Sequence, residues 1–131
     1  MRIGVTLEHR EALLRNHFPV PEPIDVQAQL DTGAFITHVD ANAINPLGIQ
    51  SHGTTQFYTA STGRTPHEAK EFAVSITLLD GEKELRFWPS VRILETVFTP
   101  ADTMRAIIGR DLLASCDFNY NGKAGVFTLT V

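Results

Sequence analysis

A run of strict alternation is the clearest pattern along the chain. Ile24, Val26, Ala28 and Leu30 fall on one face, and Asp25, Gln27, Gln29 and Asp31 on the other. A period of two marks a strand with one face buried. Gly33 ends it, and Phe35–Val39, aromatic and β-branched, reads as a second strand. Upstream, Ile3–Leu7 reads as a short strand, and the charged stretch Glu8–Asn16 as a helical turn or a loop. Pro19, Pro21 and Pro23 alternate, so this piece is extended and cannot donate a continuous ladder. Asp40–Leu47 reads as one helical turn closed by Pro46 and Gly48.

Downstream, Thr54–Thr59 alternates polar and aromatic residues, Ala60–Pro66 is small and polar, and Ala73–Leu79 alternates again. These predict a long β-hairpin with a mobile tip. Asp80-Gly81 is a tight-turn signal, Leu85–Trp88 continues the meander, and Val91–Phe98 is a further strand. Arg105–Ile108 leads into Gly109, and Asp111–Ser115 has helical composition. Asn121-Gly122 signals a second hairpin, closed by Gly125–Val131. Many short strands with one or two short helices predict an all-β barrel or sandwich-like domain.

Bulk properties narrow the function classes. A chain of 131 residues fits one domain, able to bury roughly two-thirds of its unfolded surface. The formal net charge is −4, with no run of Lys or Arg, which argues against a nucleic-acid or anionic-membrane surface. Cys116 is the only cysteine, so neither an intrachain disulfide nor a thiolate metal cluster can form, which suits a reducing, cytoplasmic setting. The first residues, MRIGVTLEHREALL, carry charges where a signal peptide needs an apolar core. No internal repeat is visible.

The candidate chemistry sits where the alternating strand ends. Asp31-Thr32-Gly33-Ala34 places a carboxylate at the end of a strand with a buried face, where ionisation is costly. Thr32 can turn its hydroxyl onto backbone, Gly33 permits close approach, and Ala34 leaves room for a ligand. Far downstream lies a second apolar-Gly segment, Ala106-Ile107-Ile108-Gly109-Arg110-Asp111-Leu112-Leu113, which by itself reads as a core strand turning into a short helix. The histidines at 9, 17, 38, 52 and 67 show no paired ligand spacing, and Glu71 stands where a metallopeptidase helix beginning at His67-Glu68 would need a second His. No motif surrounds Cys116, and no metal site is expected.

Together, Asp-Thr-Gly-Ala after a strand and Ile-Ile-Gly-Arg-Asp-Leu-Leu about three-quarters of a chain later resemble the retropepsin family, the single-domain aspartic peptidases of retroviruses and their stand-alone bacterial relatives. The ending CDFNYNGKAGVFTLTV is similar to the bacterial members. The resemblance runs from about residue 24 to 131, strong in the two motifs and weak between them, and leaves 1–23 as a strand or arm of open role. It implies a closed β-barrel-like fold with one half-site per chain and a C2 homodimer acting on an extended peptide without a cofactor. Asp31 resembles the catalytic Asp, Thr32 the residue that locks two loops at the dimer axis, and Gly33 the one whose carbonyl meets substrate backbone. Ile107, Ile108 and Gly109 resemble the strand beneath the catalytic loop, with Asp111 following in the same motif. Arg110 resembles a structural arginine held by carboxylates.

One position departs from the pattern. Phe35 stands where many retroviral members carry the acid that holds this arginine, so Arg110 needs another partner, Asp40 before Asp25. The hairpin Thr54–Leu79 matches the place of the family's flaps, with Ala60, Ser61, Thr62 and Gly63 at its tip. The expected dimer interface is made from the terminal strands, Arg2–Leu7 and Val126–Val131. The expected function is a homodimeric aspartic endopeptidase; the alternative is a retropepsin-like dimerisation or peptide-binding module that cleaves little.

Overall fold

A computed structural model describes residues 1–58 and 63–131. It is mostly β, a curled half-barrel sheet with a few short helices. The strands are β1 (Arg2–Gly4), β2 (Ile24–Asp25), β3 (Ala28–Leu30), β4 (His38–Asp40), β5 (Gly53–Phe57), β6 (His67–Asp80), β7 (Lys83–Thr96), β8 (Ala106–Ile108), β9 (Asp117–Asn121) and β10 (Val126–Thr130). The helices are α1 (Leu7–Arg15), α2 (Ala41–Ile44) and α3 (Arg110–Leu113), with a 3-10 turn at Asn45–Leu47. The main sheet runs β2-β1-β6-β7-β4-β8-β3, with β5 added on β6, and β9 and β10 form a separate two-stranded ribbon.

The Ile24–Leu30 alternation holds, but the strand does not stay in one ladder. Ile24 and Asp25 pair with β1, whereas Ala28–Leu30 pairs in parallel with β8. Between them the Val26 N–H donates to Met1 O, and Gln27 O accepts from Arg105 N–H. The segment thus crosses from one end of the sheet path to the other, which forces the curl. Ile24, Val26, Ala28 and Leu30 all pack against the core, whose centre is Ile3, Val39, Val74, Ile76, Ile93 and Ala106.

Two strand boundaries differ from the pattern for identifiable reasons. Leu85–Trp88 and Val91–Phe98 are one strand: β7 passes straight through Pro89. A register shift between Val74/Ile76 and their partners places a bulge there, so the missing proline N–H breaks no ladder bond. Phe35–Thr37 is not strand: Thr37 N–H donates to Asp111 of α3, while Thr37 O accepts from Leu94 N–H of β7. Glu8–Asn16 is the helix α1, capped at its start by Thr6, whose Oγ1 accepts from His9 N–H. At its end, His17 sits at φ +57 while Phe18 N–H donates to Leu13 O and His17 N–H to Leu14 O. This is a Schellman end with histidine where glycine is favoured.

The N-terminal strand is built into the main sheet. β1 pairs with β2 on one side and β6 on the other, and Ile3 is fully buried. Both ladders of β1 are thus occupied within the chain. The C-terminal stretch differs. In the β9–β10 ribbon, Phe118, Tyr120, Phe127 and Leu129 share one face, since Phe127 is opposite Tyr120 and Leu129 opposite Phe118. Leu129 packs on the core, whereas Tyr120 and Phe127 stay exposed.

Candidate active site

The loop after β3 is shaped by its own carboxylate. Asp31 Oδ1 accepts from Gly33 N–H at 2.8 Å, and Ala34 N–H donates to Asp31 O at 3.2 Å. An Asp bonding backbone two residues on is a common way to fix a turn. Asp31 is held from behind by its N–H to Ile108 O at 3.0 Å, and Arg110 N–H reaches back to Ala34 O at 2.9 Å. The two sequence motifs are thus one structural unit. Asp31 is half-exposed in the single chain and not buried as its strand position suggested, because the turn lifts it off the end of β3. Thr32 and Gly33 form the exposed tip, and Ala34 is half-buried.

Beneath the tip lies a denser network. Thr37 is fully buried. Its N–H and its Oγ1–H donate to the two oxygens of Asp111 at 2.9 and 2.8 Å, and its Oγ1 accepts from Gly109 N–H at 3.1 Å. Asp111 also accepts from Leu112 N–H at 2.9 Å. Gly109 is needed for space: a Cβ there would sit 2.6 Å from Ile36 C and 2.7 Å from Ile36 O. Its φ of −87 is ordinary, so the demand is close approach and not backbone conformation.

Among the described residues Arg110 pairs with no carboxylate. Asp40 is buried and caps α2 through Asn42 N–H at 3.0 Å, and its cationic neighbour is Arg105 at 3.6 Å. Asp25 pairs with Arg2 at 2.9 Å, and the hydrogen bond from Arg2 holds its carboxyl below the usual range. Both expected partners are taken. Arg110 is exposed and lays its guanidinium over the Phe35 ring, 5.4 Å from the centroid. Phe35 is itself 72% exposed, so it fills no core.

Asp31 opens onto a cleft of about 1120 Å³. Its walls come from the Asp31–Ile36 loop, from His38 and Ile107, from β5 and the start of β6, and from the end of β7. The hairpin β5–β6 therefore borders the cleft, as a flap would. Of the expected tip, Ala60, Ser61 and Thr62 lie outside the described residues, and Gly63 sits in a turn at φ +57. Among the described residues no group of three or more His, Cys, Asp or Glu is placed to hold a metal ion. Among the described residues no helix is long and apolar enough to cross a membrane.

Three cleft or loop residues escaped the sequence reading: Thr37, His38 and Phe57. Thr37 carries no pattern of its own. His38 had a usable signal, because it shares parity with Ile36, and both line the cleft. Burial pushes its imidazole below the ordinary value, against the opposing pull of the Asp111 and Asp31 carboxylates. No protein-family model matches the chain, and comparison with curated proteins finds no match.

Proposed function

We propose that the protein is a homodimeric aspartic endopeptidase of retropepsin type, in which each chain supplies one Asp31. One observation carries this reading: Asp31 is presented by a self-fixed turn, tied to the Ile108–Arg110 segment, at the wall of a cleft of about 1120 Å³. A chain with one such carboxylate completes the site only with a second copy. Two Asp31 groups meeting at a twofold axis share one proton, because like charges at that distance do not both persist. The ionised carboxylate takes a proton from water as the water oxygen attacks the peptide carbonyl carbon. The protonated carboxyl donates to the developing oxyanion. Collapse of the tetrahedral species breaks the C–N bond, and the leaving amine takes up a proton. No metal or organic cofactor enters, and the dimer acts in the cytoplasm.

The β9–β10 ribbon is the best candidate for the dimer contact. Leu129 shares a small void with Leu30, which precedes Asp31, and with Ile108, whose carbonyl accepts from Asp31 N–H. Tyr120 and Phe127 extend the same apolar face into solvent. A lone two-stranded ribbon gains most from being covered or extended. A second reading keeps the fold and the dimer without efficient cleavage; the exposed Phe35–Arg110 pair, in place of a buried ion pair, favours it. Asp31→Asn separates the two. The amide is nearly isosteric and cannot accept the water's proton, so hydrolysis of unfolded protein disappears while the fold stays. Cleavage retained by the purified variant would refute the mechanism.

A further inference from the structure

His38 occupies a position in the cleft that the peptidase reading alone does not use. It opens β4, with Leu94 of β7 and Ile107 of β8 as its register partners. Its ring stands edge-on to Phe57, with centroids 5.3 Å apart and planes at 62°. Both rings line the cleft that Asp31 opens onto, as do Ile36, Leu94 and Ile107. His67 packs on the same Phe57 ring, with centroids 5.8 Å apart, so this stretch of wall carries apolar side chains with two imidazoles among them.

Its hydrogen-bonding state points toward a ligand. Among the described residues, neither ring nitrogen has a hydrogen-bond partner, while no buried side-chain nitrogen or oxygen lacks one. The His38 nitrogens are therefore not sealed in the core, and the residue lines the cleft. Burial favours the uncharged ring, which offers one donor and one acceptor. A peptide filling the cleft removes the water that now serves them. A ligand side chain that cannot replace those bonds strands a desolvated polar group, and binding suffers. A carboxylate in the ligand would also meet Asp31 and Glu68 on the same walls.

We propose that His38 is a specificity-determining residue, and that the subsite it forms with Phe57 and Ile107 takes an uncharged carboxamide side chain, Asn or Gln, of the bound peptide. An amide offers the donor and the acceptor that pair with a neutral imidazole, and it adds no charge beside Asp31. The inference rests on reading the cleft as a peptide-binding site, but not on turnover.

The test therefore measures binding. Asp31→Asn protein is titrated with extended peptides carrying Asn, Leu or Asp at each position in turn; the three side chains are close in size and differ in hydrogen bonding and charge. At one position Asn should bind at least about tenfold tighter than Leu or Asp, the worth of roughly one well-made hydrogen bond. Adding His38→Leu should level or invert that ratio there and leave the ratios elsewhere unchanged. His38→Gln, which keeps a donor and an acceptor, should restore part of it. His38→Val carries the same test should leucine disturb β4. An unchanged Asn-over-Leu ratio without the imidazole, or no preference at any position, would overturn the assignment. Wild-type protein that binds these peptides but never cleaves them would fault the peptidase reading alone, and peptides that do not bind at all would overturn both.

Discussion

Two tethers cross from the Asp31 loop to the start of α3, and they are built on opposite principles. Thr37, fully buried, meets the solvent-facing Asp111 in a network in which the threonine N–H, its hydroxyl and the Gly109 N–H all find partners. Phe35 and Arg110 meet at the surface, ring against guanidinium, with Phe35 largely exposed. Buried polar groups are costly to strand, so the first tether specifies one arrangement of the loop. The second is solvated on both sides and is worth about 0.5–1 kcal/mol at most. Neighbouring positions on each segment thus divide the work: positions 37 and 111 fix the loop, and positions 35 and 110 decorate its rim.

Gly109→Ala should break the contrast most severely. Its Cβ would collide with the Ile36 carbonyl group, which is backbone in the middle of the loop and cannot step aside cheaply. A loss of about 3 kcal/mol in a denaturant melt is expected, with Asp31 displaced in whatever remains folded. Thr37→Val comes next. It keeps the shape but strands the Gly109 N–H and one Asp111 bond, so a loss of about 2 kcal/mol is expected by the same melt.

His38 sharpens the comparison from the cleft side, because it follows Thr37 directly and feels Asp111. Its folded value lies below the ordinary 6.5 through burial, so the unfolded chain takes up the proton first. Stability is therefore complete above about pH 6.5 and falls as the pH drops from there toward the folded value. His38→Gln should remove that part of the slope, read as melting temperature against pH for the two proteins. Asp25, held low by Arg2, contributes its own loss only at pH values under 3.8. Arg110→Ala should have the smallest effect, a change under about 1 kcal/mol, and a double-mutant cycle with Phe35→Ala should show equally weak coupling. A large Arg110 effect would mean that the rim is structural after all.

The parts legible in the sequence are those fixed by local pattern. Alternation placed Ile24, Val26, Ala28 and Leu30 on the core face, and Asp80-Gly81 located the turn between β6 and β7, where Gly81 has a positive φ. The pairing of the Asp31 and Gly109 motifs, drawn from a resemblance, coincides with direct backbone bonds between them. What the sequence hid depends on tertiary geometry. The alternation is blind to which neighbour each half of residues 24–30 pairs with. Leu85–Trp88 and Val91–Phe98 read as two strands because a bulge is invisible without the partner strand. Asp40 seemed available for Arg110 because nothing local shows that Arg105 and α2 already engage it. Thr37 is an unremarkable residue until Asp111 is folded against it.

The central claim is that one working site needs an Asp31 from each of two chains. Wild-type and Asp31→Asn chains, unfolded together and refolded as mixtures of varied ratio at constant total concentration, test it most directly. Cleavage of an unfolded protein substrate should fall as the square of the wild-type fraction, because only dimers with two intact carboxylates act. A linear fall would show that each chain works alone and would contradict the paired site.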